Sequence, residues 1–162
     1  MNNIKALLIW LMISLFSINA FAENAMTSAE LIDKGDQAFA VGQFKQALID
    51  YQNASPTAEN TTALYIKIAR CFQYIGIQSS ALAVTDKILA ETPDQIDALL
   101  IQGEIAEANE NFEQALTLYQ RAEKIDSTNR AVYHNQANVL RRMGRDSDAE
   151  KALSNIKKQI FK

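Results

Sequence analysis

Few side chains in this sequence could carry chemistry by themselves, and they lie far apart along the chain. His134 is the only histidine and Cys71 the only cysteine in 162 residues. A single histidine excludes a histidine-pair metal motif, and a single cysteine excludes both an internal disulfide and a CxxC redox pair. Cys71 lies within the segment RCFQYIG, whose apolar residues predict a small packed side chain rather than a reactive thiol.

Two pairs of acidic residues have the i,i+3 spacing of a carboxylate dyad on a helix. These are Asp33 with Asp36 and Glu104 with Glu107. In an acidic chain we interpret such pairs as solvated charges on an exposed helical face. The sequence also has no GxSxG nucleophile elbow, no Walker-type phosphate loop and no GxGxxG dinucleotide fingerprint. We therefore predict that the protein is not an enzyme and uses no cofactor or metal.

The first 22 residues have the organisation of an export signal. Lys5 precedes an apolar run over residues 6–16, and Ala20-Phe21-Ala22 then gives a small-x-small cleavage site. The apolar run is shorter than the roughly 20 residues that a membrane-spanning helix needs. We predict cleavage after Ala22, in preference to retention as an anchor, and a periplasmic or secreted bacterial protein. The remaining residues, 23–162, are enough for one domain.

Charge is distributed unevenly along the chain. Residues 23–126 contain 16 acidic and 7 basic residues, whereas residues 127–162 contain 3 acidic and 8 basic ones. A basic end can indicate nucleic-acid binding, but the whole chain has a net charge of −3, and an exported protein rarely meets nucleic acid. We interpret the asymmetry as a dipolar surface that orients a partner, and we expect no nucleic-acid ligand.

A period of 34 residues runs through the chain. It relates four alanines and, separately, four small residues that precede them: Ala47, Ala81, Ala115 and Ala149, and Gly35, Ala69, Gly103 and Ala137. A fixed period of this length is typical of stacked helical repeats, in which small residues let helix backbones approach closely. The apolar pattern predicts four helical hairpins, at about 28–40 with 43–54, 61–75 with 78–91, 95–109 with 112–125, and 129–142 with 145–160.

The chain resembles the tetratricopeptide repeat family. The likeness depends on the 34-residue period, on Gly-x-Phe turns such as Gly42-Gln43-Phe44, on Ala-x3-Tyr pairs such as Ala115/Tyr119, and on the closing Pro93. It implies an all-α fold, a right-handed α-solenoid of four helix-turn-helix repeats at about 28–60, 61–94, 95–128 and 129–162. The fourth repeat departs from the pattern, with Asp146 in place of an aromatic residue and Leu153 in place of Tyr.

The same resemblance implies a binding groove for a partner protein or peptide. In this family the first helix of each repeat lines a concave surface. Carried onto this chain, the groove residues are Asp33, Asp36, Lys67, Arg70, Tyr74, Glu104, Glu107, His134, Asn138 and Arg141. We expect Lys67, Arg70 and Tyr74 to form a basic patch with one aromatic ring, and an apolar ligand side chain to lie against Tyr74 or Ile66. Only fragments of the family's clamp for a C-terminal carboxylate occur.

The resulting functional hypothesis is a non-catalytic adaptor of the bacterial cell envelope that acts in assembly or secretion. One alternative is a self-assembling homo-oligomer. The final helix carries four apolar residues with no later helix to cover them: Leu153, Ile156, Ile160 and Phe161. Another alternative is a protein similar to small secretion chaperones built from such repeats, but these act in the cytoplasm and the predicted signal peptide argues against that location.

Overall fold

A computed structural model of the chain describes residues 26–55 and 61–160, with side chains described through residue 156. The predicted signal peptide lies outside these residues. The described residues form eight α-helices and no strand: α1 (Ser28–Ala40), α2 (Phe44–Ala54), α3 (Thr61–Tyr74), α4 (Gln78–Glu91), α5 (Ile96–Ala108), α6 (Phe112–Ile125), α7 (Arg130–Arg142) and α8 (Asp146–Ile160). None of these helices combines the length and hydrophobicity that a bilayer span requires.

The helices pair as antiparallel hairpins, α1 with α2, α3 with α4, α5 with α6 and α7 with α8, and each hairpin packs on the next. The predicted all-α fold and hairpin positions are confirmed, with helix ends within one residue of those expected. Helix α3 also contacts α5, and α5 contacts α7, whereas successive second helices among those described approach each other less closely. The stack therefore curves, with the first helices on its concave side.

Two kinds of residue pair alternate along the stack at equivalent positions of the hairpins. In the first and third hairpins a glycine faces a buried tyrosine, Gly35 against Tyr51 and Gly103 against Tyr119. A Cβ at Gly103 would lie within 3.0 Å of three ring atoms of Tyr119, so a larger residue there requires the ring or the helices to shift. The equivalent residues in the second and fourth hairpins are Ala69 with Thr85 and Ala137 with Leu153. An alanine therefore replaces glycine where the facing residue is smaller than tyrosine.

The turns inside the hairpins require a left-handed backbone. Gly42, Gly76 and Gly144 have φ angles of 78°, 81° and 73°, which glycine adopts without steric cost. These three glycines confirm the predicted turns. The equivalent residue of the third hairpin is Glu110, with φ of 61°, so this turn adopts the same conformation with a residue that disfavours it.

Burial corrects one prediction at the C-terminus and confirms one at Cys71. Ile156 is only 6% exposed, and the half-buried Leu153 packs against the cluster of the last hairpin, so these two residues are covered by their own hairpin. The Ile160 and Phe161 side chains lie outside the described part.

Cys71 is fully buried, and burial raises the pKa of its thiol to about 11, as expected of a packed and unreactive cysteine.

Candidate functional site

Polar side chains of the concave side link neighbouring hairpins. Between the first two hairpins, Lys67 of α3 donates a hydrogen bond to the Asp36 carboxylate of α1. The Tyr51 hydroxyl also donates to Asp36, at 2.6 Å, and the Lys67 ammonium lies 5.6 Å from the centre of the Tyr51 ring. Asp36 thus joins a core tyrosine of its own hairpin to a cation of the next.

A second link joins α3 to α5 and continues to α7. The Arg70 guanidinium lies 2.5 Å from Glu104 Oε2, and the Gln73 amide donates to the same oxygen at 2.8 Å. The Asn135 amide of α7 donates to Glu104 Oε1 at 3.4 Å. Both oxygens of one half-buried carboxylate are therefore used to hold three first helices in register.

A third link joins α5 to α7 through Arg142. Its guanidinium donates to the Glu107 carbonyl oxygen at 3.0 Å, lies 3.7 Å from the Glu107 carboxylate and lies 3.6 Å from that of Glu110. The same group lies 4.6 Å from the centre of the Phe112 ring. We call the following eight of these linking residues the concave ladder: Asp36, Lys67, Arg70, Gln73, Glu104, Glu107, Asn135 and Arg142.

Several predicted groove residues are paired with acids of the protein itself. Lys67 and Arg70 do not form a free basic patch, because each is paired with an acid of a neighbouring hairpin. Arg141 pairs with Glu150 of its own hairpin at 3.0 Å. His134 and Asn138 are exposed on α7, and neither bonds another side chain within the described residues.

A pocket of about 260 Å³ opens between α1, α3 and α5. We call it the groove pocket; its lining residues are Asp36, Phe39, Tyr51, Ile66, Lys67, Arg70 and Asp97. It brings Lys67 and Arg70 together with Ile66, one of the two apolar contacts that the sequence suggested. The exposed Asp97 of α5 adds a carboxylate that has no basic side chain of the described residues within ion-pair distance.

Tyr74 does not line the groove pocket. Its ring is stacked on Phe44, with centroids 4.6 Å apart and planes inclined by 15°, and it lines a separate pocket formed with the turn between α1 and α2. Phe39 connects the two places, since it lines the groove pocket and its ring lies edge-on to that of Tyr74 at 5.6 Å. The predicted grouping of Tyr74 with Lys67 and Arg70 is therefore wrong.

Protonation is fixed at the centre of the groove pocket. Burial by itself would raise the pKa of Asp36, but hydrogen bonds from Lys67 and Tyr51 outweigh it and hold the pKa below the usual 3.8. Burial, and then the hydrogen bond to Asp36, raise the pKa of Tyr51 far above its usual value. Near neutral pH the carboxylate is therefore charged and the phenol is a neutral donor, so neither group exchanges a proton there. No cluster of three or more potential metal ligands occurs among the described residues.

Sequence reasoning missed four residues of this surface: Gln73, Asp97, Asn135 and Arg142. The signal that could have found three of them is sequence separation. Partners in the concave ladder are 31 to 35 residues apart, which is close to one repeat. Acid–base and amide–acid pairs at this separation on first helices therefore indicate links between repeats. The separation is not sufficient by itself, because Arg130 follows Asp97 by 33 residues and the two form no ion pair among the described residues.

Comparison with known proteins supports the fold. No protein-family model matches the sequence, and no curated protein sequence matches it. Solved structures do match. TTC0263, a thermophilic TPR protein of Thermus thermophilus, is 19% identical with a TM-score of 0.71, over 80% of this chain and 73% of that one. MamA from Desulfovibrio magneticus RS-1 is 15% identical with a TM-score of 0.67, over 81% and 74%.

The first TPR of Spaghetti (RPAP3), solved with the HSP90 peptide SRMEEVD, is also similar, at 16% identity and a TM-score of 0.63, over 73% of this chain and 94% of that one. At these identities the likeness concerns the fold. The chain has the tetratricopeptide-repeat fold, which confirms the resemblance indicated by the sequence.

Proposed function

We propose that the protein is a non-catalytic interaction module of the bacterial cell envelope, which docks an extended segment of a partner protein in its concave groove. The observation that carries this proposal is the groove pocket, where apolar walls and fixed charges meet on the concave side of the stack. Spaghetti, a protein of the same fold, was solved with a bound peptide, which makes a peptide a reasonable ligand. The export signal predicted at residues 1–22 supports the location.

The chemistry of the groove pocket restricts the ligand. Phe39, Tyr51 and Ile66 supply apolar wall, which favours a ligand side chain that is itself apolar. Lys67 and Arg70 are already neutralised by Asp36 and Glu104, so they contribute little attraction for an acidic ligand. Asp97 is the unpaired charge of the pocket.

We therefore infer that the partner segment presents an apolar side chain beside a lysine or arginine. The apolar contact would contribute most of the affinity, because buried anchors carry the binding energy of interfaces. The charge opposite Asp97 would mainly affect association rate and salt sensitivity. We propose that this exported adaptor acts in envelope assembly or secretion.

The test replaces Asp97 by lysine and uses Asp94→Lys as the matched control. Both substitutions make the same change of charge on an exposed residue near the start of α5, but only Asp97 lines the groove pocket. The variants are used as bait for envelope extract at low salt, after circular dichroism has established equal folding.

We expect one or a few proteins to be retained by the wild type and by Asp94→Lys, and retention to fall with Asp97→Lys. Equal retention by all three baits, or equal loss with both variants, would mean that the partner binds outside the groove pocket. Sedimentation of the wild type tests the alternative of self-assembly. The proposal does not require the protein to form oligomers.

A further inference from the structure

The same pair of helix positions meets at each junction between hairpins. It lies where the end of a first helix meets the start of the preceding second helix, and the 34-residue period gives its residue pairs: Tyr74 with Phe44, Ala108 with Gln78, and Arg142 with Phe112. Because the three positions are equivalent, differences among them reflect the side chains rather than the backbone architecture.

The second and third junctions carry polar contacts, and the apolar residue Ile77 beside the second junction is 44% exposed. At the second, the Asn109 amide donates to Gln78 Oε1 at 3.0 Å. At the third, the Arg142 guanidinium lies 4.6 Å from the centre of the Phe112 ring and is held there by Glu107 and Glu110. Each of these junctions thus presents hydrogen-bonding groups or charge to solvent.

The first junction instead presents apolar surface. Tyr74 lies on Phe44 but is still 55% exposed, Ile49 is 50% exposed, and Val41 of the same turn is 69% exposed. A cavity of about 600 Å³ opens here; we call it the first-junction crevice, and its lining residues are Gly42, Gln43, Phe44, Lys45, Gln46, Ile49, Tyr74 and Ile75. Its volume falls within the range of sites that accept small molecules or anchoring side chains.

The charge at the rim indicates what the first-junction crevice accepts. Lys45 is the only charged residue that lines it, and no acidic side chain of the described residues pairs with Lys45. The equivalent residues of the second and third hairpins are Ser79 and Glu113, so a basic residue at this position is particular to the first junction. Such a rim attracts a carboxylate.

We propose that the first-junction crevice is a second docking site, which takes an aromatic or branched apolar side chain of a partner protein next to an aspartate or glutamate. This preference is opposite to that of the groove pocket, where Asp97 favours a basic neighbour. The C-terminal segment of a second copy matches this chemistry less well, because residues 151–162 contain four lysines and no acidic side chain, and a second copy is the outcome that sedimentation separates below.

Two small aromatic probes with opposite charge test the proposal. Indole-3-propionate and tryptamine carry the same ring, the first with a carboxylate and the second with an ammonium group. Each is titrated into the full, naturally processed protein, and binding is followed by the backbone amide NMR signals of Gly42, Gln43 and Ile75. We expect indole-3-propionate to bind about twofold to fivefold more tightly than tryptamine, the range that an exposed ion pair supplies.

Three variants then locate the site. Tyr74→Ala should weaken binding of indole-3-propionate at least about fivefold, as loss of an aromatic anchor does. Tyr74→Arg removes the aromatic anchor as well and should also weaken binding while the fold is kept; it introduces the arginine of the third junction without its acidic partners, because Phe39 and Gly42 stand where Glu107 and Glu110 hold Arg142. Lys45→Glu should reverse the preference between the two probes. Gln78→Ala, a change at the second junction in the position equivalent to Phe44, serves as the control and should bind as the wild type does.

The proposal is overturned if tryptamine binds as tightly as indole-3-propionate, or if the Tyr74→Arg variant binds both probes as the wild type does. It is also overturned if sedimentation reveals a dimer that Tyr74→Arg dissociates, because a second copy would then occupy the crevice. Asp97→Lys should leave probe binding unchanged, so failure of this site and failure of the groove pocket are distinguished.

Discussion

Replacing Gly103 by alanine tests the close helix contact that underlies the stack. In an ordinary helix interior this change is stabilising by up to about 1 kcal/mol, because alanine has the higher helix propensity. Here the new methyl group would lie within 3.0 Å of three ring atoms of Tyr119. The ring is fully buried and cannot turn away, so overpacking of about 1–3 kcal/mol is expected. We predict a net loss of up to about 2 kcal/mol in the free energy of unfolding, because the propensity gain of about 1 kcal/mol offsets part of the clash.

A double-mutant cycle combines Gly103→Ala with a second change, Tyr119→Leu. Together the two changes copy the Ala137/Leu153 pair of the fourth hairpin. Tyr119→Leu alone removes a buried ring and should cost about 2–4 kcal/mol. In the Tyr119→Leu variant the ring that clashes with the new methyl group is absent, so Gly103→Ala should be neutral or stabilising by up to about 1 kcal/mol. The two changes are therefore coupled, by an amount near the overpacking energy.

Urea unfolding followed by far-ultraviolet circular dichroism measures all four proteins of this double-mutant cycle. Ala69→Gly is the control, because alanine already occupies this position of the second hairpin and the change should cost only the propensity difference of about 1 kcal/mol. If Gly103→Ala costs the same with Tyr119 as with leucine, the proposed matching of glycine with tyrosine is refuted.

Three further changes have definite expected outcomes. Ala115→Leu at a fully buried position should lower the unfolding free energy by about 1–3 kcal/mol, whereas Ala108→Leu at an exposed helical position should change it little; equal melting temperatures would contradict the alignment of repeats. Glu110→Gly should raise thermal stability, because glycine relieves a left-handed conformation that costs about 1–2 kcal/mol; a lower melting temperature would mean that the ion pair with Arg142 outweighs this strain. Since its hydrogen bonds hold the pKa of Asp36 below 3.8, its stabilising contribution is complete above that value and is lost as the pH falls through the lowered pKa. An Asp36→Asn variant should therefore lose less stability than the wild type in an acid titration below about pH 4, and parallel curves would count against this role.

The period was enough to predict the fold. Recurrence of a small residue at Gly35, Ala69, Gly103 and Ala137 fixes where two helices approach, and the turn glycines fix where each hairpin reverses. Both are local constraints, which explains why helix ends were predicted to within one residue. Size matching between Gly103 and Tyr119 was less visible, because it depends on which residue of the facing helix lies opposite.

The candidate site was predicted less well, because a single helical face does not reveal what lies on the neighbouring helix. Lys67 and Arg70 share a face with Tyr74 in sequence spacing, yet the first two turn toward acids of adjacent hairpins and Tyr74 packs on the turn of the preceding one. Similarly, Arg141 was chosen although its neighbour Arg142 makes the contact with α5. A difference of one residue rotates a side chain by about 100° on a helix of 3.6 residues per turn, which decides between the two faces.

Site-specific photo-crosslinking in the cell that produces the protein tests the central claim most directly. A diazirine-bearing aliphatic amino acid is placed at Ile66, which lines the groove pocket, and, in a separate variant, at the exposed Ala83 on the second helix of the same hairpin. Docking in the concave groove predicts discrete crosslinked products with one or a few envelope proteins from position 66 and none from position 83. Crosslinks from position 83 alone would contradict the proposal and assign the partner to the convex face.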